Sequence, residues 1–431
     1  MRHAPGVIAT VVSCLLFAHV PSAAAAAGAA KYVWVQIGPL GLSSVRAITT
    51  ASICPQVRFD RSIVRMSKRA PADSEFNVLT CEATIPAGTQ RIEVAGKALR
   101  APSLQPRRIA VIGDTGCRLK AGEALDNGFQ RCNDPDDWEF AKVARRVATS
   151  NPDLIIHVGD YIYREQPCDG TKGCEGSPFN GPGMRWHTWE ADFFAPAAPM
   201  LQAAPILFVR GDHEQCERAG SGFFRFLDAY RLRQCLDFTQ PYAVDFTGLQ
   251  LIVMDTVQAI DTVLSPQVVR DRYEQDFKAA ARLITGNAWL LSHRPIWGIR
   301  PTTQDGSETQ SINVTVQDAL RQALGRLPPN VELVLTGHIH LAEALSFTGG
   351  RPPQIIAGIG GTKLLPEVAR GSGDKILDGE RITHITTASI HGFIMFERSA
   401  QRGWKITIQE ITGQRAATCT LASKSVICTT E

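Results

Sequence analysis

Two stretches decide how this chain is read: Val111-Ile112-Gly113-Asp114-Thr115-Gly116 and His157-Val158-Gly159-Asp160-Tyr161-Ile162-Tyr163. In each, a short β-type apolar run ends in glycine and then aspartate. The arrangement recurs in Val209-Arg210-Gly211-Asp212-His213, in Leu290-Leu291-Ser292-His293 and in Leu335-Thr336-Gly337-His338-Ile339-His340. Ligands of an α/β sheet gather outside the carboxyl ends of its strands. Five strand ends therefore converge Asp114, Asp160, Asp212, His293, His338 and His340 on one place. Glycine before the ligand lets the backbone turn sharply and approach closely.

Carboxylate and imidazole without thiolate suit divalent or trivalent transition metals. Six such groups exceed one tetrahedral site. Two cations bridged by one carboxylate would use them all, and paired cations clamp the attacking and leaving oxygens of a phosphoryl displacement.

Outward from these motifs, further apolar runs lie at 249–254 and 354–357, and helical spacing is found at 136–149, 267–284 and 314–327. Alternation of strand and helix predicts βαβ units from residue 107 on. Residues 389–431 return to strand-like composition and are expected to close the sheet or form its edge. Ahead of this, 31–104 carries short β-rich runs between Pro and Gly turns, which predicts a small β-sandwich of immunoglobulin or fibronectin type. Residues 101–106, Ala-Pro-Ser-Leu-Gln-Pro, read as the linker.

The N-terminus has Arg2, an apolar core at 7–20 and a run of small residues after Pro21. This is secretory-signal architecture, taken as 1–27 with cleavage between Ala23 and Ala30, and it predicts a secreted or periplasmic protein. The apolar core is short for a membrane span, so none is expected in the mature chain. Of 11 cysteines, Cys14 would leave with the signal. The remaining even number reads as disulfides in an exported chain. Adjacency in sequence suggests 54–81, 117–132, 168–174, 216–235 and 419–428. With 45 basic and 42 acidic residues, the formal charge is +3. No concentrated basic footprint speaks for a nucleic-acid partner.

The ordered motif set resembles the calcineurin-like metallophosphoesterases over roughly 107–361, and more narrowly the purple acid phosphatases. That branch opens with Gly-Asp-x-Gly, here Gly113 to Gly116. It also carries a tyrosine three residues after the second aspartate, here Tyr163. The resemblance implies a metallophosphoesterase β-sandwich flanked by helices, occupying 107–431 behind the small all-β domain. It implies that Asp160 bridges two metals. Asp114, Tyr163 and His340 would complete a ferric site, and Asp212, His293 and His338 a site for divalent iron, zinc or manganese. His213, in Gly211-Asp212-His213-Glu214, would stand beside the substrate oxygens and serve the leaving group. The implied activity is hydrolysis of phosphomonoesters by a metal-activated hydroxide.

Two departures from the family pattern stand out. The family places Asn where this chain has Asp212. The plant enzymes place substrate-contacting histidines after the position of His293, whereas none occurs here between His293 and His338; Arg294 or Arg300 could contact phosphate instead, but each reads first as a solvated or salt-bridged cation. Trp186, His187 and Trp189 fall in a Gly/Pro-rich insertion that could shape the pocket. Tyr161, His157, His384 and His391 read as structural. The alternative activities are a phosphodiesterase acting on nucleotides or lipid headgroups and, from another class, a non-catalytic binding protein on the same scaffold.

Overall fold

The computed structural model describes residues 1, 30–120, 125, 129–170, 172–179, 185–231, 234–368, 375–399 and 403–430. The expected signal segment, apart from Met1, lies outside them. Two large sheets stack face to face. The strands Arg108–Ile112, Leu154–His157 and Ile206–Phe208 run parallel at the centre of an 11-stranded sheet. In the facing 8-stranded sheet, Leu249–Val253, Ala288–Leu291, Val331–Thr336 and Gln354–Ala357 run parallel side by side.

The pleat assigns alternate side chains to alternate layers. Ile109, Val111, Leu154 and Ile156 face Leu251, Trp289, Leu333 and Leu335 across the gap between the sheets. Ala110, Ile112, Ile155 and Phe208 face outward and are covered by helices. Strands buried on both faces read as continuous apolar runs, as these do. Helix Phe140–Thr149 covers the first sheet with Phe140, Val143, Ala144 and Val147, one stripe at helical spacing. Helices Gln267–Leu283 and Val314–Leu324 cover the second through Tyr273, Phe277 and Ala280 and through Val316, Ala319 and Leu320. The last of these helices is capped by Asn313, whose side chain accepts from the Val316 amide. The result is a four-layer helix–sheet–sheet–helix sandwich, with the ends of both central strand sets at one rim.

An all-β region, Tyr32 to Leu99, precedes the four-layer sandwich. Its own core unites Val33, Val35, Val45, Val57, Phe59, Cys81 and Val94. One of its two sheets is continuous with the 11-stranded sheet, since Tyr32–Ile37 pairs in parallel with Ile206–Phe208 through Gln36 and Ile206. The C-terminal strands Gly392–Ser399 to Ser425–Thr430 add antiparallel to Arg108–Ile112 and form the opposite edge. Five disulfides join Cys54 to Cys81, Cys117 to Cys132, Cys168 to Cys174, Cys216 to Cys235 and Cys419 to Cys428, as adjacency suggested. Among the described residues, no helix is long and apolar enough to cross a membrane.

Candidate metal centre

At the shared rim the backbone leaves the strands abruptly. Asp114, Asp160 and His338 adopt positive φ of 56°, 57° and 75°, a region that non-glycine residues occupy only when their surroundings enforce it. The enforcement is visible. The Asp114 amide donates to Gly159 O and the Thr115 amide to Asp160 O, at 3.0 and 2.9 Å, locking the Asp114 and Asp160 loops together. Gly159 is obligatory: its φ is +107° and a Cβ there would stand 2.5 Å from His293 Nδ1. At Gly211 a Cβ would lie 2.1 Å from Asp160 Oδ1.

Two groups of side chains result. In one, ligand atoms of Asp160, Asp212, His293 and His338 all lie within 4.8 Å of one another. His293 Nε2 is 3.1 Å from both Asp160 Oδ2 and Asp212 Oδ1, and His338 Nδ1 is 2.9 Å from Asp212 Oδ1. In the other, the Tyr163 hydroxyl lies 3.1 Å from Asp114 Oδ1, 2.9 Å from His340 Nε2 and 2.7 Å from Asp160 Oδ2. Asp160 Oδ2 therefore belongs to both groups, the position a bridging carboxylate needs.

The donor set fits a pair of cations. Asp114, Asp160 and Asp212 are buried together, and like charges so arranged require positive charge between them. Each imidazole has its outer nitrogen anchored: His293 Nδ1 to Val158 O at 2.8 Å, His340 Nδ1 to Lys363 O at 3.0 Å and His338 Nε2 to Asp261 Oδ2 at 2.8 Å. Metal-binding histidines are oriented in this way. Burial, then Asp160 and Asp114, push the Tyr163 phenol well above its usual range. A phenolate at this place requires a cation beside it.

Comparison with known proteins agrees with this geometry. A profile of the calcineurin-like phosphoesterase family matches residues 107–342, more than half of the chain. The chain belongs to the calcineurin-like phosphoesterases. Its fold is similar to that of purple acid phosphatase PPD1 from seeds of yellow lupin, Lupinus luteus, with a TM-score of 0.57 and 13% identity, covering 91% of this chain and 74% of that one. It is also similar to the structure of PhoD, with a TM-score of 0.53 and 14% identity, covering 93% and 92% of the two chains. No curated protein matches the chain significantly.

Within this phosphoesterase the site extends past the residues anticipated from sequence. His213 places Nδ1 2.9 Å from Glu165 Oε1, an ion-pair approach, and stacks near the Tyr163 ring with centroids 3.8 Å apart. Burial opposes ionisation of Glu165, but His213 and Arg218 overcome it and hold the carboxyl at about 2. Burial, then Arg218, keeps His213 below its ordinary value against the pull of Glu165 and Asp160. Glu214 accepts from the amides of Asp160, Tyr161 and Gly211, tying the Asp160 and Asp212 loops to each other. Asp261 holds His338 and Arg294. The Gly-Asp-His-Glu motif contained a signal for Glu214. Nothing local marked Glu165 or Asp261.

A cavity of about 250 Å³ opens over the centre. Arg118, Lys120, Arg294 and Arg300 give it a basic lining, and Ile312, Ile339 and Leu365 an apolar wall. Both arginines suggested as replacements for the plant histidines thus reach it. Arg294 is already engaged, 3.1 Å from Asp212 Oδ2 and 2.6 Å from Asp261 Oδ1. The insertion residues do not shape this cavity, contrary to the expectation from their Gly/Pro-rich setting. Trp186 and Trp189 are buried in an aromatic core with Phe194 and Phe226, and His187 is exposed. Tyr161 donates to Val209 O at 2.7 Å, and His157 Nε2 pairs with Thr115 Oγ1 at 3.1 Å, both structural contacts.

Proposed function

We propose that the chain is an exported binuclear-metal phosphatase acting on phosphomonoesters. The observation that carries this reading is Asp160 Oδ2, shared between the Tyr163 group and the His293 group. Asp114, Tyr163, His340 and Asp160 would hold ferric iron, for which a hard phenolate is suited. Asp160, Asp212, His293 and His338 would hold divalent iron, zinc or manganese. When bound, the cations supply Lewis acidity toward the phosphoryl oxygens and acidify the attacking water.

The protein's own groups do the rest. Asp160 takes the His213 amide on Oδ1 at 3.0 Å, which sets the His213 ring against the site. With Nδ1 turned to Glu165, His213 Nε2 is the atom able to hand a proton to the departing alkoxide. Arg294 and Arg300 in the cavity lining support a dianionic monoester over a monoanionic diester. Five disulfides support an oxidising compartment. The test is hydrolysis of p-nitrophenyl phosphate against bis(p-nitrophenyl) phosphate after metal loading. Faster turnover of the monoester is expected. Preference for the diester would favour a phosphodiesterase, and no turnover of either a binding protein.

A further inference from the structure

Arg118 and Lys120 line the cavity from a segment joined to the Tyr163 loop. Segment 117–120 is fixed at several points. Cys117 is bonded to Cys132, its amide donates to Asp192 Oδ1 at 2.8 Å, and the Arg118 amide donates to Gln130 Oε1 at 2.9 Å. The Leu119 amide donates to Tyr163 O at 3.0 Å, binding the segment to the loop that carries Tyr163 and Glu165. Lys120 is thereby placed on the His213 flank. Its Nζ lies 3.9 Å from Glu165 Oε2, while Glu165 Oε1 serves His213 and Arg218. The Lys120–Glu165 contact is long and the lysine side chain is 33% exposed, so its charge stays available to the cavity it lines. Arg118 lines the same cavity from a buried position.

The flank matters because the phosphoryl group and the leaving group have different electrostatic needs. On the phosphatase reading, the cations held by the Asp160 cluster would supply the positive charge for the phosphoryl oxygens. His213 faces the leaving oxygen. A cation beyond His213 meets whatever the leaving alcohol carries. We infer that the natural leaving group bears a second anion, a carboxylate or a phosphate on a short aliphatic spacer, received by Lys120 and Arg118. This rests on the phosphatase reading above. The apolar wall of Ile312, Ile339 and Leu365 suits the spacer, and the cavity of about 250 Å³ limits its length.

The experiment compares three substrates with the metal-loaded protein: n-propyl phosphate, 3-(phosphonooxy)propanoate and propane-1,3-diyl bisphosphate. The spacer is common to all, so the terminal charge is the variable. The kcat/KM of at least one charged substrate should exceed that of propyl phosphate about tenfold, the effect of one partly desolvated ion pair. The larger of the two identifies carboxylate or phosphate. Lys120→Met and Arg118→Gln should each reduce the charged-to-neutral ratio severalfold, and Lys120→Arg should keep most of it. If Lys120 serves only to position Glu165, Lys120→Met will lower all three substrates by one factor and leave the ratio intact, which overturns the inference. Turnover of all three without preference overturns it as well. Absence of turnover with all three overturns the phosphatase reading itself and the inference with it.

Discussion

Asp212 and Arg294 meet through Oδ2 and Nη2 at 3.1 Å, and Arg218 Nη1 approaches the same oxygen at 3.2 Å. The purple acid phosphatases, which the motif set resembles, carry a neutral asparagine in the corresponding motif. Burial alone would raise the Asp212 carboxyl, but Arg294 and His338 carry it well below its usual range. The chain thus keeps an added negative charge beside the proposed divalent ion and offsets part of it with arginine. Asp212→Asn should leave the centre more positive and tighten competitive inhibition by inorganic phosphate about fivefold, a factor reduced from the bare charge difference by the two guanidinium groups. Weaker phosphate inhibition at full metal content would contradict this.

Glu165 opposes the burial and the Arg218 charge that keep His213 below its ordinary value. Because Glu165 raises the imidazole's affinity for a proton, its neutralisation must lower it. A general acid works only while protonated, so the alkaline limb of the kcat–pH profile should move to lower pH in Glu165→Gln. A kcat loss of roughly tenfold at neutral pH, with a smaller change in KM, is expected. An unmoved alkaline limb would show that His213 does not donate the proton.

Much of the site was legible because strand periodicity and ligand chemistry coincide locally. An apolar run ending in Gly-Asp or Gly-His carries both the strand and its functional terminus, as at Asp160 and His338. What escaped is non-local. Asp261 meets His338 from 77 positions away, on a loop without strand or glycine signature. Glu165 resembles any surface carboxylate until the fold turns His213 toward it. Trp186 and Trp189 fall in a Gly/Pro-rich insertion that could shape the pocket, yet packing against Phe194 and Phe226 buries them. The parallel pairing of Gln36 with Ile206 joins two regions that composition separates, since register between distant strands leaves no local trace.

Tyr163 and Tyr161 make an internal control. Both are buried, but the Tyr163 hydroxyl faces Asp114, Asp160 and His340, whereas the Tyr161 hydroxyl is spent on Val209 O. Iron-loaded, oxidised protein should show a visible phenolate-to-iron charge-transfer band. Tyr163→Phe should lose it and Tyr161→Phe keep it. A colourless protein with two divalent ions would leave the phosphoesterase family intact and remove the ferric assignment.

Away from the centre, burial holds the Glu343 carboxyl at about 8 against an ordinary 4.5, even though Oε1 accepts from the Ile299 amide at 3.1 Å. The folded protein keeps this proton in a range where the unfolded chain has released it. Stability from Glu343 is therefore full below about 4.5 and is lost as pH rises toward about 8. Glu343→Gln mimics the protonated acid. Its melting temperature should match the parent near pH 5 and exceed it near pH 8.5, the gap corresponding to on the order of 5 kcal/mol. Parallel melting curves at both pH values would exclude an ionisation coupled to folding.

The central claim is that one carboxylate serves two cations, and metal stoichiometry in Asp160→Asn tests it most directly. Elemental analysis of the metal-loaded parent should find two ions per chain, with p-nitrophenyl phosphate turned over. Asp160→Asn should fold, as judged by circular dichroism, yet lose most of both ions and at least a thousandfold in kcat, since the shared oxygen and its charge are gone. An Asp160→Asn protein that retains two ions and the parental rate would contradict the account.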